Sequence, residues 1–291
     1  MNRPTDSDQA PRASTGVSDD AAENEDIEIK LLAEAVHLKY GYDFRNYSRA
    51  SLKRRVKHRM GLENIDRISD LLHGILYDPD LFDRLFLDLS INVTEMFRDP
   101  DFFLAVRRNV VPVLKTYPFV KVWHAGCSTG EEVYSMAILL KEEGLYDKAQ
   151  IYATDMNEVV IGKAQDGVIP IDRLRDYTAN YQRAGGIESF GDYYTARFGL
   201  ARLDKSLIER VVFASHNLAT DGVFGEMHLI VCRNVLIYFD KVLQARVLRL
   251  FYDSLVRRGF LCLGTKESVR FSPIEDAFEV VDPLRKIYRK K

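Results

Sequence analysis

The residues best placed to do chemistry in this chain form a small-residue turn followed by acids: Ala125-Gly126-Cys127-Ser128-Thr129-Gly130, then Glu131 and Glu132. Residues 120–124, a short β-branched and aromatic run, read as a buried strand, and 125–130 as a tight turn. From Glu131 a helix carries Val133, Met136, Ala137, Leu139 and Leu140. Strand, glycine turn and helix in that order place a ligand at the carboxyl edge of a parallel sheet. The turn lacks G-x-G-x-x-G and has no Lys-Ser/Thr after its last glycine, which argues against phosphate cradling. Acids at the helix mouth would repel a pyrophosphate but suit a cationic or hydroxyl-bearing ligand. S-adenosylmethionine, with a sulfonium, an ammonium and a ribose diol, fits that description.

Other residues gather around the same edge. Asp155 ends the next strand, where an acid can accept hydrogen bonds from ribose hydroxyls, although the same residue could serve as a helix N-cap. Glu131 has a parallel choice between dipole partner and ligand contact. The segment Cys232-Arg233-Asn234-Val235-Leu236-Ile237-Tyr238-Phe239 ends a strand in Arg-Asn and continues into aromatics, which also read as a structural pair. His216-Asn217-Leu218 follows a further strand and could meet an adenine. Asn92-Val93-Thr94-Glu95-Met96-Phe97-Arg98 is dense in hydrogen-bonding groups, yet alone it reads equally as a capped loop.

The elements that must position these residues follow from periodicity. Residues 1–26 have almost no large apolar side chains and are expected to be a disordered tail. Residues 27–90 read as an all-helical unit: Ile27, Leu31, Leu32, Ala35 and Leu38 share one face up to Gly41, and helices fit 49–60, 65–76 and 79–87. Asp99-Pro100 opens a further helix, a linker within 91–110. Over 111–291, strands at 120–124, 150–154, 211–215, 229–232 and 260–264 alternate with helices, including one at 240–256. A C-terminal hairpin turns around Asp282-Pro283. This rhythm predicts an α/β, doubly wound sheet of mostly parallel strands with a helical N-terminal domain. Residues 167–206, rich in Tyr and Arg, break the rhythm and read as a small β-rich insertion.

Composition excludes several classes. A formal charge of −2 over 291 residues gives no global pull toward nucleic acid or an anionic membrane. No apolar run reaches bilayer length, and the first residues lack the apolar stretch of a secretory signal. Cys127, Cys232 and Cys262 are odd in number and widely spaced, so they read as reduced thiols rather than disulfides or metal ligands. The expectation is a cytoplasmic protein, without membrane insertion and without a metal.

Taken in order, N-V-T-E-M-F-R-D, A-G-C-S-T-G-E-E-V-Y-S, A-T-D-M-N, H-N-L and C-R-N-V-L-I-Y-F-D closely resemble the CheR-type chemoreceptor glutamate methyltransferases, over about residues 30–290. The resemblance implies a Rossmann-like methyltransferase domain and S-adenosylmethionine as methyl donor, leaving S-adenosylhomocysteine. The acceptor would be a glutamate on the cytoplasmic helical bundle of a methyl-accepting chemoreceptor. It implies a donor pocket of Asn92, Thr94, Arg98, Gly126, Glu131, Asp155, Asn217, Leu218, Arg233 and Asn234. Arg98 would stand close to the transferred methyl, and Tyr238 near the sulfonium or the incoming carboxylate. Many relatives read G-H-S-E after a late strand, whereas this chain has Gly264-Thr265-Lys266-Glu267 and so no His there.

A dense basic run is the second feature. Between residues 45 and 62 stand Arg45, Arg49, Lys53, Arg54, Arg55, Lys57, Arg59 and His58, with no acid. Such a run is commonly a solvated face or a nucleic-acid site. The resemblance implies a third use, docking on acidic receptor helices through Arg49, Lys53, Arg54, Arg55, Lys57 and Arg59; the expectation is a monomer that does not bind nucleic acid. Two alternatives stand beside this reading: a methyltransferase for a small molecule or RNA, and a non-catalytic adaptor on the same fold.

Overall fold

The computed structural model describes residues 16–90 and 93–291. They divide into two compact units, one of residues up to 45 with 49–85, the other of 46–48 with 86–291.

The first unit is helical: α1 (Gly16–Tyr40), α2 (Arg49–Glu63), α3 (Ile68–Tyr77) and α4 (Pro79–Leu89), whose last turn belongs to the second unit. α1 stops at Gly41, which takes φ +80°, and the Gly41 N–H closes on the His37 carbonyl at 3.0 Å. The face α1 buries differs from the expected one: Ile29, Leu32, Ala33 and Val36 are buried, whereas Ile27, Leu31 and Leu38 are exposed. Both sets have helical spacing, and only the partners α2 and α3 decide between them. The expected disordered tail is also corrected from residue 16 onward, because α1 already runs through 16–26. There Glu25 meets Lys53 and Lys57, and Asp26 lies 3.7 Å from Arg49. These partners come from α2 and are not visible in the local composition. Residues 1–15 of that expectation lie outside the described residues.

In the second unit, α5 (Pro100–Ala105), a π-helical turn (Val106–Val110) and α6 (Val111–Leu114) form one bent rod. It is no spacer, since Phe102, Phe103, Val106, Val110, Val111 and Leu114 are core residues on one face of the sheet. The sheet is built from β1 (Val120–Ala125), β2 (Ala149–Asp155), β6 (Val211–Ser215), β7 (Met227–Cys232), β8 (Leu255–Leu263), β9 (Phe278–Asp282) and β10 (Ile287–Lys290), in the order β6-β2-β1-β7-β8-β10-β9. Neighbours are parallel from β6 to β8, and β10 is antiparallel to both β8 and β9. Period-two alternation divides the core. Val120, Val122, Ile151, Leu229, Val231, Phe260 and Cys262 face the layer of α7 (Glu131–Glu142). Trp123, Ile230, Cys232, Leu261 and Leu263 face α10 (Lys241–Ser254).

After β2 come α8 (Glu158–Asp166) and the insertion, which holds β3 (Val168–Pro170), α9 (Leu174–Arg183), β4 (Tyr194–Arg197) and β5 (Leu200–Leu203). Its sheet is antiparallel in the order β3-β5-β4, with Phe198-Gly199 at the hairpin tip, both at positive φ. Tyr181 and Tyr193 hydrogen-bond the Glu142 carboxylate and so pin the insertion to α7. Among the described residues no helix is long and apolar enough to cross a membrane.

Candidate functional site

The carboxyl ends of β1, β2, β6 and β7 open onto a cleft. Reversal of strand order between β1 and β7 creates this crevice, because the connections leave the sheet toward opposite faces.

The turn after β1 forms its floor. Gly126 (φ +81°) and Gly130 (φ +91°) both need the left-handed region. A side chain at Gly126 would also meet Val235 at 2.6 Å, and one at Gly130 would meet Ala164 at 2.8 Å. Gly126 and Cys127 donate their N–H groups to the Thr154 carbonyl, both at 2.8 Å, which ties the turn to β2. Ser128, itself at φ 51°, donates its N–H to Asp155 Oδ2 at 2.9 Å. Asp155 Oδ1 accepts the Asn157 N–H at 3.1 Å, and burial pushes the Asp155 carboxyl above the usual carboxylate range. The N-cap of α8 is Asn157, so Asp155 is not a cap.

The opposite wall is the turn after β7. Arg233 is buried and fully engaged: it reaches Asp99 at 2.6 Å, Glu132 at 2.7 Å and the Arg98 carbonyl at 3.1 Å, and lies over the Phe102 ring at 4.1 Å. It acts as a strut joining β7, α7 and the 98–99 segment. Burial alone would raise the Glu132 carboxyl, but Arg233 and His124 reverse this and hold it below its ordinary value. Asn234 follows at φ 61°, and a single 3-10 turn (Leu236–Tyr238) then presents Tyr238.

The third side is the 93–99 segment, locked where the Phe97 N–H donates to Ser135 Oγ at 2.8 Å and Asn180 Nδ2 donates to the Met96 carbonyl at 3.2 Å. Phe97 and Asp99 both take positive φ. Ser128 and Asn234, two non-glycine residues in the left-handed region, line the cleft, and Phe97 and Asp99 flank Arg98, which lines it too; backbone strain of this kind is common at functional sites. Arg98 donates to the Val93 carbonyl at 3.1 Å.

Thr94, Arg98, Gly126, Asp155, Asn217, Leu218, Arg233, Asn234 and Tyr238 all line this cleft. Glu131 does not: it accepts a hydrogen bond from Thr129 Oγ1 at 2.6 Å, and its neighbour Glu132 lines the cleft instead. Asn92 lies outside the described residues. Sequence reasoning missed Tyr47, Ser90, Met156 and Val235 as lining residues. Tyr47 pairs with Phe239 across an isolated antiparallel bridge, with ring centroids 5.0 Å apart. No local motif announces it, since the pairing spans nearly two hundred positions of sequence.

The basic run is not an unopposed field. Within the first unit Lys53 and Lys57 are held by Glu25, Arg49 faces Asp26, and Arg59 pairs with Glu63 at 3.0 Å. Arg54 is exposed and Arg55 half-buried. Absence of acids within the run says nothing of acids brought against it by folding.

An adenosyl donor fits these residues. Ser128 and His216 both line the cleft, and Ser128 Oγ and His216 Nδ1 are buried with no hydrogen-bond partner among the described residues. Such orphaned groups call for a polar ligand. Leu89, Leu218, Val235 and Phe239 give the cleft the apolar surface a purine needs.

The comparisons agree with this chemistry. The profile "CheR methyltransferase, SAM binding domain" matches residues 92–286, and "CheR methyltransferase, all-alpha domain" matches 27–90. A Pseudomonas putida KT2440 protein named Cher3 is 55% identical over 92% of this chain and 98% of its own length. A Klebsiella aerogenes "Chemotaxis protein methyltransferase" is 30% identical over 87% of this chain and 86% of its own. "Chemotaxis protein methyltransferase 2" of Pseudomonas aeruginosa is 34% identical over 64% and 66%. A strand-turn-helix donor cleft in the sheet unit, with family matches over both that unit and the helical one, makes this chain a member of the CheR family of S-adenosylmethionine-dependent methyltransferases.

Proposed function

We propose that the protein transfers a methyl group to glutamate side chains on the cytoplasmic helical bundle of a chemoreceptor, giving methyl esters, and that it works in the cytoplasm as a monomer. The observation that carries this reading is the meeting of Arg98 and Tyr238 with Asp155, Asn217 and Asn234 around one cleft. Relatives bearing the name chemotaxis protein methyltransferase support a place in chemotaxis.

When bound, S-adenosylmethionine supplies an electrophilic methyl on a cationic sulfonium. Ser128, Asp155, His216, Asn217 and Leu218 would hold the adenosine part, and Thr94, which lines the same cleft, would meet the remainder. A glutamate acceptor, with an unperturbed pKa of about 4.3, arrives already ionised at neutral pH and needs no general base. The work left to the protein is alignment and exclusion of water. Arg98 and Tyr238 are the residues to orient the acceptor carboxylate. Methylation removes one negative charge from the receptor, a change able to bias its signalling state. α2 is the face proposed to meet the receptor, through Arg54 and whichever of Arg49, Lys53, Arg55, Lys57 and Arg59 its own acids release.

The test is Arg98→Ala. Turnover should fall by about a hundredfold or more while affinity for S-adenosylhomocysteine changes only about threefold, the signature of a group acting in the transition state. Equal loss in both would make Arg98 a donor-binding residue only. Retention of turnover would remove it from the mechanism.

A further inference from the structure

We infer that Glu267 is a positioning residue of the donor site, acting through the turn after β7 that carries Asn234 and Tyr238 to the cleft. Glu267 does not line the cleft and is only 5% exposed. Its carboxylate accepts four backbone N–H groups. Oε2 takes Gly264 at 2.6 Å and Asn234 at 3.1 Å, and Oε1 takes Val235 at 2.9 Å and Ile237 at 3.3 Å.

Three of those donors belong to the turn itself, at the entrance of the 3-10 segment, where successive N–H groups lack partners within the helix. Asn234 stands at φ 61°, a conformation that costs free energy unless its surroundings hold it. The carboxylate is what grips it, by charge-assisted bonds in a dry environment. Contact is close on both sides: a Cβ at Gly264 would fall 2.8 Å from the Asn234 nitrogen and 2.8 Å from Glu267 Oε2. Val235, held by Oε1, in turn packs against the space that the absent side chain of Gly126 leaves. One buried acid thus connects the turn after β8, the turn after β7 and the glycine turn after β1. Burial pushes this carboxyl above the usual range, and the backbone N–H groups oppose that shift.

The experiment is a double-mutant cycle on the full chain, read as S-adenosylhomocysteine affinity by calorimetry, so that it depends on the donor site and not on the acceptor. Glu267→Gln keeps the shape but turns an amide NH2 toward backbone donors. Asn234→Gly removes the side chain while relaxing the left-handed backbone. Glu267→Gln should weaken binding about tenfold in the parent and about twofold in the Asn234→Gly background, because coupled residues are not additive. Glu267→Asp serves as the second variant, retaining the charge but withdrawing it by one methylene, and should show the same coupling with a smaller loss. Thermal melting of each protein accompanies the binding data. An unchanged affinity, or the same fold-loss in both backgrounds, would overturn the assignment and leave Glu267 a stabilising residue only.

Discussion

Asp155 has two tasks that compete for one carboxylate. It closes the Ser128 and Asn157 N–H groups, and it lies on the cleft wall where ribose hydroxyls are expected. Asp155→Ala should therefore raise the dissociation constant for S-adenosylhomocysteine by roughly ten- to hundredfold, the ~1.4–2.8 kcal/mol typical of a buried charged hydrogen bond, as titration calorimetry would show. A change below about twofold would remove it from the donor site. Glu132 yields a pH prediction. With its carboxyl held below the ordinary 4.5 by Arg233 and His124, its contribution to stability is complete above about pH 4.5 and lost as pH falls through the lowered folded value. Urea unfolding from pH 7 down to about pH 3 should show a flatter acid limb in Glu132→Gln than in the parent, and identical limbs would refute the ion pair. Much of the site at this scale was legible, because Gly126, Asp155 and the Arg233-Asn234 pair each belong to a strand end whose meaning is local. Glu132, Tyr47 and Glu267 were not, since each owes its place to a partner distant in sequence.

At the scale of elements, α1 and α2 carry the sharpest expectation. Glu25 and Asp26 stand just before residues 27–90, the part matched to the all-alpha domain, and their carboxylates oppose Lys53, Lys57 and Arg49. Lys53 and Lys57 hold the Glu25 carboxyl below its ordinary value. If α2 docks on an acidic helix, these acids compete with the partner for the same cations. Glu25→Gln with Asp26→Asn should strengthen association with an acidic receptor fragment by about three- to tenfold at low salt, a gain that disappears near 0.5 M salt as charges are screened. Surface plasmon resonance at the two ionic strengths checks this, and an unchanged affinity at low salt would argue against α2 as the docking face. The helices themselves were readable from period and glycine stops, but the buried stripe of α1 was not. Leu32 belongs to both candidate stripes, and Ile29 and Val36 became core only through what packs on them. The sequence of the rod from α5 to α6 reads as a linker, because it is helical without a visible partner. Phe102 and Phe103 show that the partner is the sheet layer.

For the molecule as a whole, the sheet order β6-β2-β1-β7-β8-β10-β9 explains why motifs scattered over more than a hundred positions act together. Parallel strands deliver their carboxyl ends to one edge, and the order reverses beside β1, so the loops after β1, β2, β6 and β7 must surround a common space. That topology was foreseeable from alternating strands and helices, and the C-terminal hairpin from its turn residues. The form of the insertion was less so, because its three short strands depend on pairing within 168–203 and on Glu142 rather than on strong alternation. The central claim, methyl transfer to receptor glutamates, is tested most directly by incubating the protein with radiolabelled S-adenosylmethionine and receptor-bearing membranes. Label should appear on the receptor, be released as methanol by mild base, and fall about a hundredfold or more with the Arg98→Ala protein. Label on RNA or on small molecules, or receptor left unlabelled while the donor is bound, would contradict it.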